Sequence, residues 1–271
     1  MTGLIQIYND VVADTGVKHY PDRSINTGTQ AVYDAGAGAE YGTGADLPAG
    51  AEVKSLTFAD SVATFSKAHA YANGGLVFAG VNGDTFDLPV KAAPQPADKR
   101  WLVTMWLKIA NYGVGTAASN NNQTFSFSTS NVNIVTASML GMAPTTVAGA
   151  SPSAIALYVR GKSYALATQL APLFDGHPHQ FAVECEVSTD NTQQRIIVWL
   201  DEVKVYESGW GGVAATVPGA PTYRYVGTSG SFPVAWTGSF YRYRKDDLTA
   251  TTETSATILA ADKDVAGTRF A

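Results

Sequence analysis

Aromatic residues around a glycine-rich stretch are the first candidates for ligand binding in this sequence. The glycines are Gly209, Gly211 and Gly212, and the aromatic residues are Tyr206, Trp210, Tyr223, Tyr225 and Trp236. The apolar face of an exposed aromatic ring can stack on a sugar ring. We expect core packing to take at least two of the five rings, and the candidates for stacking on a glycan are Tyr206, Trp210, Tyr223 and Tyr225.

Two carboxylates could support glycoside hydrolysis. Glu184 and Glu186 are two residues apart in a strand, so they lie on the same face, roughly 6.6 Å apart along the chain. Hydrolysis of a glycosidic bond needs two carboxyl groups that flank it. The alternative is that both are solvated on the outer face of a sheet, and we favour this alternative because no third acid follows in the strand.

Neither a metal site nor a cofactor site is expected. Of the four histidines, only His177 and His179 are close in sequence, and Pro178 between them is more typical of a stiff loop than of metal ligation. Cys185 is expected to be a small buried residue. Residues 113–118 match a glycine-rich dinucleotide pattern in its alanine variant, but no helix follows, so we interpret them as a loop.

Composition excludes several classes of protein. The chain has 271 residues, only 15% charged, with a formal charge of −5. It has no broad positive field for nucleic acid. No apolar stretch reaches the roughly 20 residues of a membrane helix, and the first ten residues resemble no signal peptide, so neither membrane insertion nor secretion is expected.

Alternating apolar residues predict an all-β fold. Residues 101–110 are apolar on both faces, which predicts an interior strand, and Asn82-Gly83 and Arg160-Gly161 are predicted hairpin turns. Helical periodicity is convincing only in the last twenty residues. Because eleven or more short strands would leave long edges and a wet apolar face in one open sheet, we predict a two-sheet antiparallel β-sandwich, or jelly roll.

The first 50 residues differ from the rest. Residues 34–44 are mostly glycine and alanine without a period of 2 or 3.6. Small residues do not offset the entropy of ordering the backbone unless they lie against other groups. We therefore predict an irregular N-terminal arm over residues 1–50, which is flexible, docks on a neighbour, or covers the sheet as an ordinary lead-in, followed by one β domain over residues 51–271.

Two strands with their loops carry a resemblance to a known family. Residues 175–187, with the order His179-Gln-Phe-Ala-Val183, and residues 195–206, with the order Arg195-Ile-Ile-Val-Trp-Leu-Asp201, resemble the signature of concanavalin A-like and laminin G-like jelly rolls. Trp106 and Lys108 match an earlier strand of that family. The resemblance covers roughly residues 55–265. It implies a jelly roll that binds glycan or protein, with a hydrolytic branch that acts on β-glucans.

The sequence also resembles the structural proteins of tailed bacteriophages. It shares with them loops rich in small residues, an N-terminal arm and the lack of a catalytic set. The first hypothesis is therefore a virion protein of the tail, fibre or capsid decoration, not an enzyme, that forms a homo-oligomer and contacts other virion proteins through its arm. The second is a carbohydrate-binding module for host surface glycan. The third is an endo-β-glucanase that uses Glu184 and Glu186.

Overall fold

The computed structural model describes residues 22–36, 44–57, 61–112, 123–132, 134–145, 152, 154–231 and 235–270. Their strands are β1 (Thr29–Asp34), β2 (Glu52–Lys54), β3 (Val62–Phe65), β4 (Tyr71–Ala72), β5 (Gly75–Ala79), β6 (Asp84–Asp87), β7 (Arg100–Tyr112), β8 (Phe125–Ser128), β9 (Ser138–Thr145), β10 (Ala154–Val159), β11 (Lys162–Ala165), β12 (Pro178–Val187), β13 (Gln193–Leu200), β14 (Val203–Glu207), β15 (Gly211–Gly212), β16 (Tyr223–Thr228) and β17 (Trp236–Asp247). Their helices are α1 (Ile134–Ala137), α2 (Ala167–Leu170) and α3 (Ser255–Ala266), with 3-10 turns at Val90–Ala92, Ala171–Phe174 and Gly267–Arg269.

The strands form two antiparallel sheets. The first has the order β14-β13-β12-β7-β17-β5-β4, with β1 also paired to β17 and β15 to β13. The second has the order β11-β10-β9-β8-β16-β6-β3-β2. The all-β two-sheet prediction is therefore confirmed. The predicted interior strand is also confirmed, since β7 lies between β12 and β17.

One apolar core lies between the sheets. Phe65 and Phe86 of the second sheet stack with ring centroids 4.4 Å apart, and Phe240 of the first sheet approaches Phe86 at 4.8 Å. In β12, Phe181, Val183, Cys185 and Val187 all point into this core. Alternate residues of the strand therefore face outward.

Helix α3 covers part of the outer face of the first sheet. Ile258 and Leu259 of α3 pack with Leu102, Ala182 and Leu248. Thr254 caps the helix, because its hydroxyl accepts a hydrogen bond from the Thr257 N–H at 3.2 Å. The helix lies within the last twenty residues, where the sequence predicts one. None of the helices in the described part of the chain is long and apolar enough to cross a membrane.

An ionic cluster lies between α3, β17 and the N-terminal segment. The Arg242 guanidinium contacts Asp22 at 2.6 Å, Asp34 at 2.5 Å and Asp262 at 2.8 Å, and all four side chains are buried. Burial alone would lower the pKa of Arg242, but the three carboxylates raise it above its usual value. We call these four residues the Arg242 cluster. It ties both ends of the described chain to β17.

The N-terminal prediction needs a correction. Thr29–Asp34, within the segment predicted to be irregular, forms β1 and pairs with β17, and Ala31 and Tyr33 join the core. The neighbouring residues in the sequence offer little for β1 to pack against, and its pairing with β17 supplies that contact. Residues 1–21 and 37–43 lie outside the described residues, as do residues 113–118. Docking of an arm, and a domain boundary at residue 50, remain predictions.

Candidate functional site

The four predicted stacking residues do not form one site. Trp210 is 46% exposed between β14 and β15, and Tyr206 is half-buried on β14, edge-on to Tyr164. Tyr223 and Tyr225 belong to β16 in the other sheet. Tyr223 is 37% exposed, whereas Tyr225 is only 3% exposed.

Tyr225 cannot offer its ring to a ligand. Its hydroxyl donates to Gln123 Oε1 at 2.7 Å, and burial raises the pKa of this phenol. Trp236 is also buried and stacks on Phe78 with centroids 4.8 Å apart. Core packing thus takes two of the five aromatic residues, as expected, and Trp210 is the most exposed of them.

The backbone around Trp210 is fixed by strand β13. The Ser208 N–H donates to the Ile196 carbonyl at 3.0 Å, and the Ile196 N–H donates to the Ser208 hydroxyl at 3.0 Å. Gly209 has φ +64°, in the left-handed region that favours glycine, and turns the chain from β14 toward β15. β15 then pairs with Gln193 and Gln194 of β13. Trp210 is therefore held beside the start of β13.

Charged side chains hold the Trp210 ring from one side. The Arg195 guanidinium lies over the ring, 5.2 Å from its centroid. Arg195 Nε and Nη2 both donate to Glu186 Oε2, at 2.8 and 2.7 Å, and its Nη1 lies 3.5 Å from Glu207 Oε1. The hydrogen bond that Arg195 donates to Glu186 raises the pKa of Arg195. The guanidinium is thus fixed between two carboxylates and the ring.

A cavity of about 300 Å³ opens next to this ring. Its lining consists of Glu186, Val187, Ser188, Thr189, Gln193 and Trp210, and we call this cavity and its lining the Trp210 site. The lining comes from the end of β12, the turn after it and the start of β13. It combines one aromatic ring with hydroxyl, amide and carboxylate groups.

The β12–β13 turn is held by its own polar side chains. The Asp190 carboxylate accepts from the Ser188 hydroxyl at 2.6 Å and from the Thr192 hydroxyl at 2.8 Å. These bonds lower the pKa of Asp190 to about 2. The Ser188 hydroxyl also accepts from the Gln193 N–H at 2.9 Å. The cavity wall is therefore largely preorganised.

Comparison with known proteins identifies the fold. No family model matches the chain, and no curated protein matches its sequence. Among solved structures, a Trypanosoma rangeli sialidase in complex with 2,3-difluorosialic acid is similar at TM-score 0.50 and 13% identity, covering 88% of this chain and 33% of that one. The similarity is one of fold.

Two further structures are similar at lower scores. An arabinofuranosidase complexed with arabinofuranosyl-α-1,2-xylobiose has TM-score 0.49 and 10% identity, over 89% of this chain and 59% of that one. Domain 4 of AbnA, an extracellular arabinanase from Geobacillus stearothermophilus, in complex with arabinotriose, has TM-score 0.46 and 14% identity, over 86% of this chain and 98% of that one. The chain spans about a third of the sialidase and less than two thirds of the arabinofuranosidase.

The similarity to the sialidase corrects the prediction that the chain is not an enzyme. Its fold occurs within the chain of a sialidase, so a sequence without a recognisable catalytic set gives no ground for excluding enzymatic activity. The two-sheet fold is shared with that chain. The concanavalin A-like and laminin G-like assignment, the virion role and location, and the homo-oligomer remain predictions.

The two carboxylates considered for glycoside hydrolysis are not both accessible at the surface. Glu184 and Glu186 do share the outer face of β12, but Glu184 is only 2% exposed. Its Oε1 accepts from Arg100 at 2.7 Å, and its Oε2 accepts from the Ser255 hydroxyl of α3 at 2.7 Å. The expectation that both are solvated is wrong for Glu184, because α3 covers it. The endo-β-glucanase hypothesis loses one of its two acids for the same reason.

His69 and Cys185 are both tied into the fold. Cys185 is fully buried, as expected, and burial raises the pKa of its thiol to about 12. His69 is buried, with Nδ1 2.8 Å from the Val77 carbonyl oxygen and Nε2 2.9 Å from Asp84. Within the described ranges, no group of three or more His, Cys, Asp and Glu side chains is placed to hold a metal ion.

His179 lies between two carboxylates, with Nδ1 2.7 Å from Asp201 and Nε2 3.0 Å from Asp175. Only the imidazolium can donate from both nitrogens, and the bond to Asp201 is the main cause of its raised pKa. A raised folded-state pKa stabilises the fold fully below the unfolded pKa of about 6.5, and this stability is lost as pH rises through the folded pKa. We expect the wild-type advantage over His179→Gln in urea unfolding to shrink from pH 6 to pH 9.

The control is His177→Gln, two residues away at an exposed position. As a surface substitution, it should change the free energy of unfolding by no more than about 0.5 kcal/mol at each pH. A constant difference for His179→Gln over the same pH range would contradict the role of the imidazolium.

Proposed function

We propose that the chain binds carbohydrate at the Trp210 site. The observation that carries this proposal is the exposed Trp210 ring beside a cavity of about 300 Å³ with polar side chains in its wall. A volume near the lower end of the range for small-molecule sites suits a small unit such as one sugar residue.

The chemistry of a sugar fits the chemistry of this lining. A pyranose has an apolar C–H face, which an aromatic ring can cover, and a rim of hydroxyl groups that donate and accept hydrogen bonds. Trp210 supplies the ring, with Arg195 fixing its position. Ser188, Thr189 and Gln193 supply polar groups for the hydroxyl rim. Because the turn is held by Asp190, binding orders little of the protein.

The proposal is tested by Trp210→Ala in the full chain. We expect retention on a glycan array to fall by about tenfold or more, because the apolar face of the sugar loses its cover. Thermal stability should change little, since the ring is about half exposed. The measurement is array retention of the labelled protein together with a thermal unfolding curve.

Tyr223→Ala is the matched control. Tyr223 is another exposed aromatic residue, but it lies in the second sheet, away from the cavity. Its replacement should leave retention unchanged. Loss of retention in Tyr223→Ala but not in Trp210→Ala would place the site elsewhere, and no retention of the wild type on any glycan would overturn the proposed function.

A further inference from the structure

The charge carried by the lining of the Trp210 site is negative. Of the residues that line the cavity, only Glu186 is charged. Its carboxylate Oε2 accepts both hydrogen bonds from Arg195. Among the described residues, no hydrogen bond reaches the other oxygen, Oε1. Glu186, a residue of the cavity lining, therefore keeps a carboxylate oxygen that can still accept.

Each of the nearby cations already donates to a carboxylate or to a backbone carbonyl oxygen. Arg195 lies between Glu186 and Glu207, and Arg100 is bound to Glu184 at 2.7 Å, with Glu186 Oε2 at 3.9 Å. The Lys162 ammonium group donates to the Gly212 carbonyl oxygen at 2.5 Å. None of these cations belongs to the cavity lining. Glu186 is the charged residue of the lining, so a negatively charged ligand in the cavity would meet its carboxylate.

From this arrangement we infer that the Trp210 site selects neutral saccharides over anionic ones, with Glu186 as the residue that determines this selectivity. The inference rests on the proposed function. Glu186 Oε1 accepts a hydrogen bond from a sugar hydroxyl, and a charge-assisted bond of this kind is stronger than one between neutral groups. A uronic acid or another acidic sugar brings a second carboxylate into the same cavity. Like charges at such distances repel, and salt screens the repulsion.

The test uses pairs of oligosaccharides that differ only at C6, as CH₂OH or as carboxylate. Glucose and glucuronate, galactose and galacturonate, and mannose and mannuronate give three such pairs. We expect the wild-type chain to retain at least one neutral member at least about tenfold more strongly than its acidic partner at low salt. In Glu186→Gln, that ratio should fall toward one, because the amide oxygen still accepts but no longer repels.

Glu207→Gln is the matched control for the loss of a partner of Arg195. It removes a carboxylate from the same guanidinium but not from the cavity, so the ratio should stay at its wild-type value. Preference of the wild type for an acidic member, or an unchanged ratio in Glu186→Gln, would overturn the inference and leave the proposed function standing. Retention of neither member in any pair would overturn the inference, and the proposed function falls with it only if the wild type is also retained by no other glycan on the array.

Discussion

Asp262→Ala is expected to lower the free energy of unfolding by about 3–5 kcal/mol, the cost of removing one partner from a buried ion pair. The Asp262 side chain is fully buried. Its Oδ1 accepts from Arg242 Nε at 2.8 Å, and its Oδ2 accepts from Trp106 Nε1 at 2.7 Å and Gln180 Nε2 at 3.1 Å. Trp106 Nε1 would stay buried without its partner. Arg242 would lose one of its three carboxylates, and Gln180 Nε2 would keep only the Leu259 carbonyl oxygen. The loss is a large part of the roughly 5–15 kcal/mol that stabilise a typical domain.

Asp264→Ala separates this effect from helix propensity. Asp264 is in the same helix, α3, but is exposed. Because surface substitutions are usually within about 0.5 kcal/mol of wild type, its denaturation midpoint should barely move. The measurement is urea or guanidinium unfolding of both variants beside the wild type. Equal losses in the two variants would show that α3, and not the Arg242 cluster, sets the stability.

Local alternation predicts much of this fold. In β12, one set of alternate residues faces the core and includes Cys185, and the other set faces outward and includes Glu184 and Glu186. Alternation succeeds because side-chain direction in a strand has a period of two regardless of what the strand pairs with. A different pattern, apolar residues on both faces, predicts β7 as an interior strand.

Pairing over long sequence distances is what alternation does not predict. Asn82-Gly83 does turn the chain, with Gly83 at φ +74°, but β5 before it belongs to the first sheet and β6 after it to the second. The predicted hairpin is therefore wrong there, whereas the one at Arg160-Gly161 joins β10 to β11 and is confirmed. A turn signal reports local backbone geometry, and the partner of each strand is decided elsewhere in the chain.

The same limit applies to the Trp210 site. Two glutamates on one strand face differ in exposure only because α3, about 70 residues later, covers Glu184 and leaves Glu186 at the cavity. The buried Tyr225 hydroxyl donates to Gln123, which is 102 residues away in the sequence. Residue type identified Trp210 as a candidate. Sequence reasoning missed Ser188 and Thr189 of the turn and Gln193 at the start of β13, and their position in a polar hairpin beside Glu186 was the signal for them.

Gly227→Ala is expected to destabilise the fold by about 3 kcal/mol or more, through backbone strain together with overpacking. Gly227 has φ +116°, a backbone angle that residues with a Cβ atom rarely adopt. A Cβ atom there would lie 2.2 Å from the Asp84 carbonyl oxygen and 3.1 Å from the Phe78 ring. Asp84 is in β6, and the Gly227 N–H donates to the Thr124 carbonyl at 2.8 Å. Gly227 in β16 cannot move away from β6 without breaking the β16–β6 pairing or the hydrogen bond to Thr124.

Gly230→Ala tests whether the effect belongs to this close approach or to glycine in general. Gly230 is three residues further on, and an added Cβ atom would meet nothing within 4 Å. Its free energy of unfolding should stay within about 0.5 kcal/mol of the wild-type value. If Gly227→Ala unfolds at the same denaturant concentration as Gly230→Ala, β16 and β6 have room to separate and the contact between them is not a constraint. If it fails to fold while Gly230→Ala folds normally, the approach of these two backbones is a requirement of the second sheet.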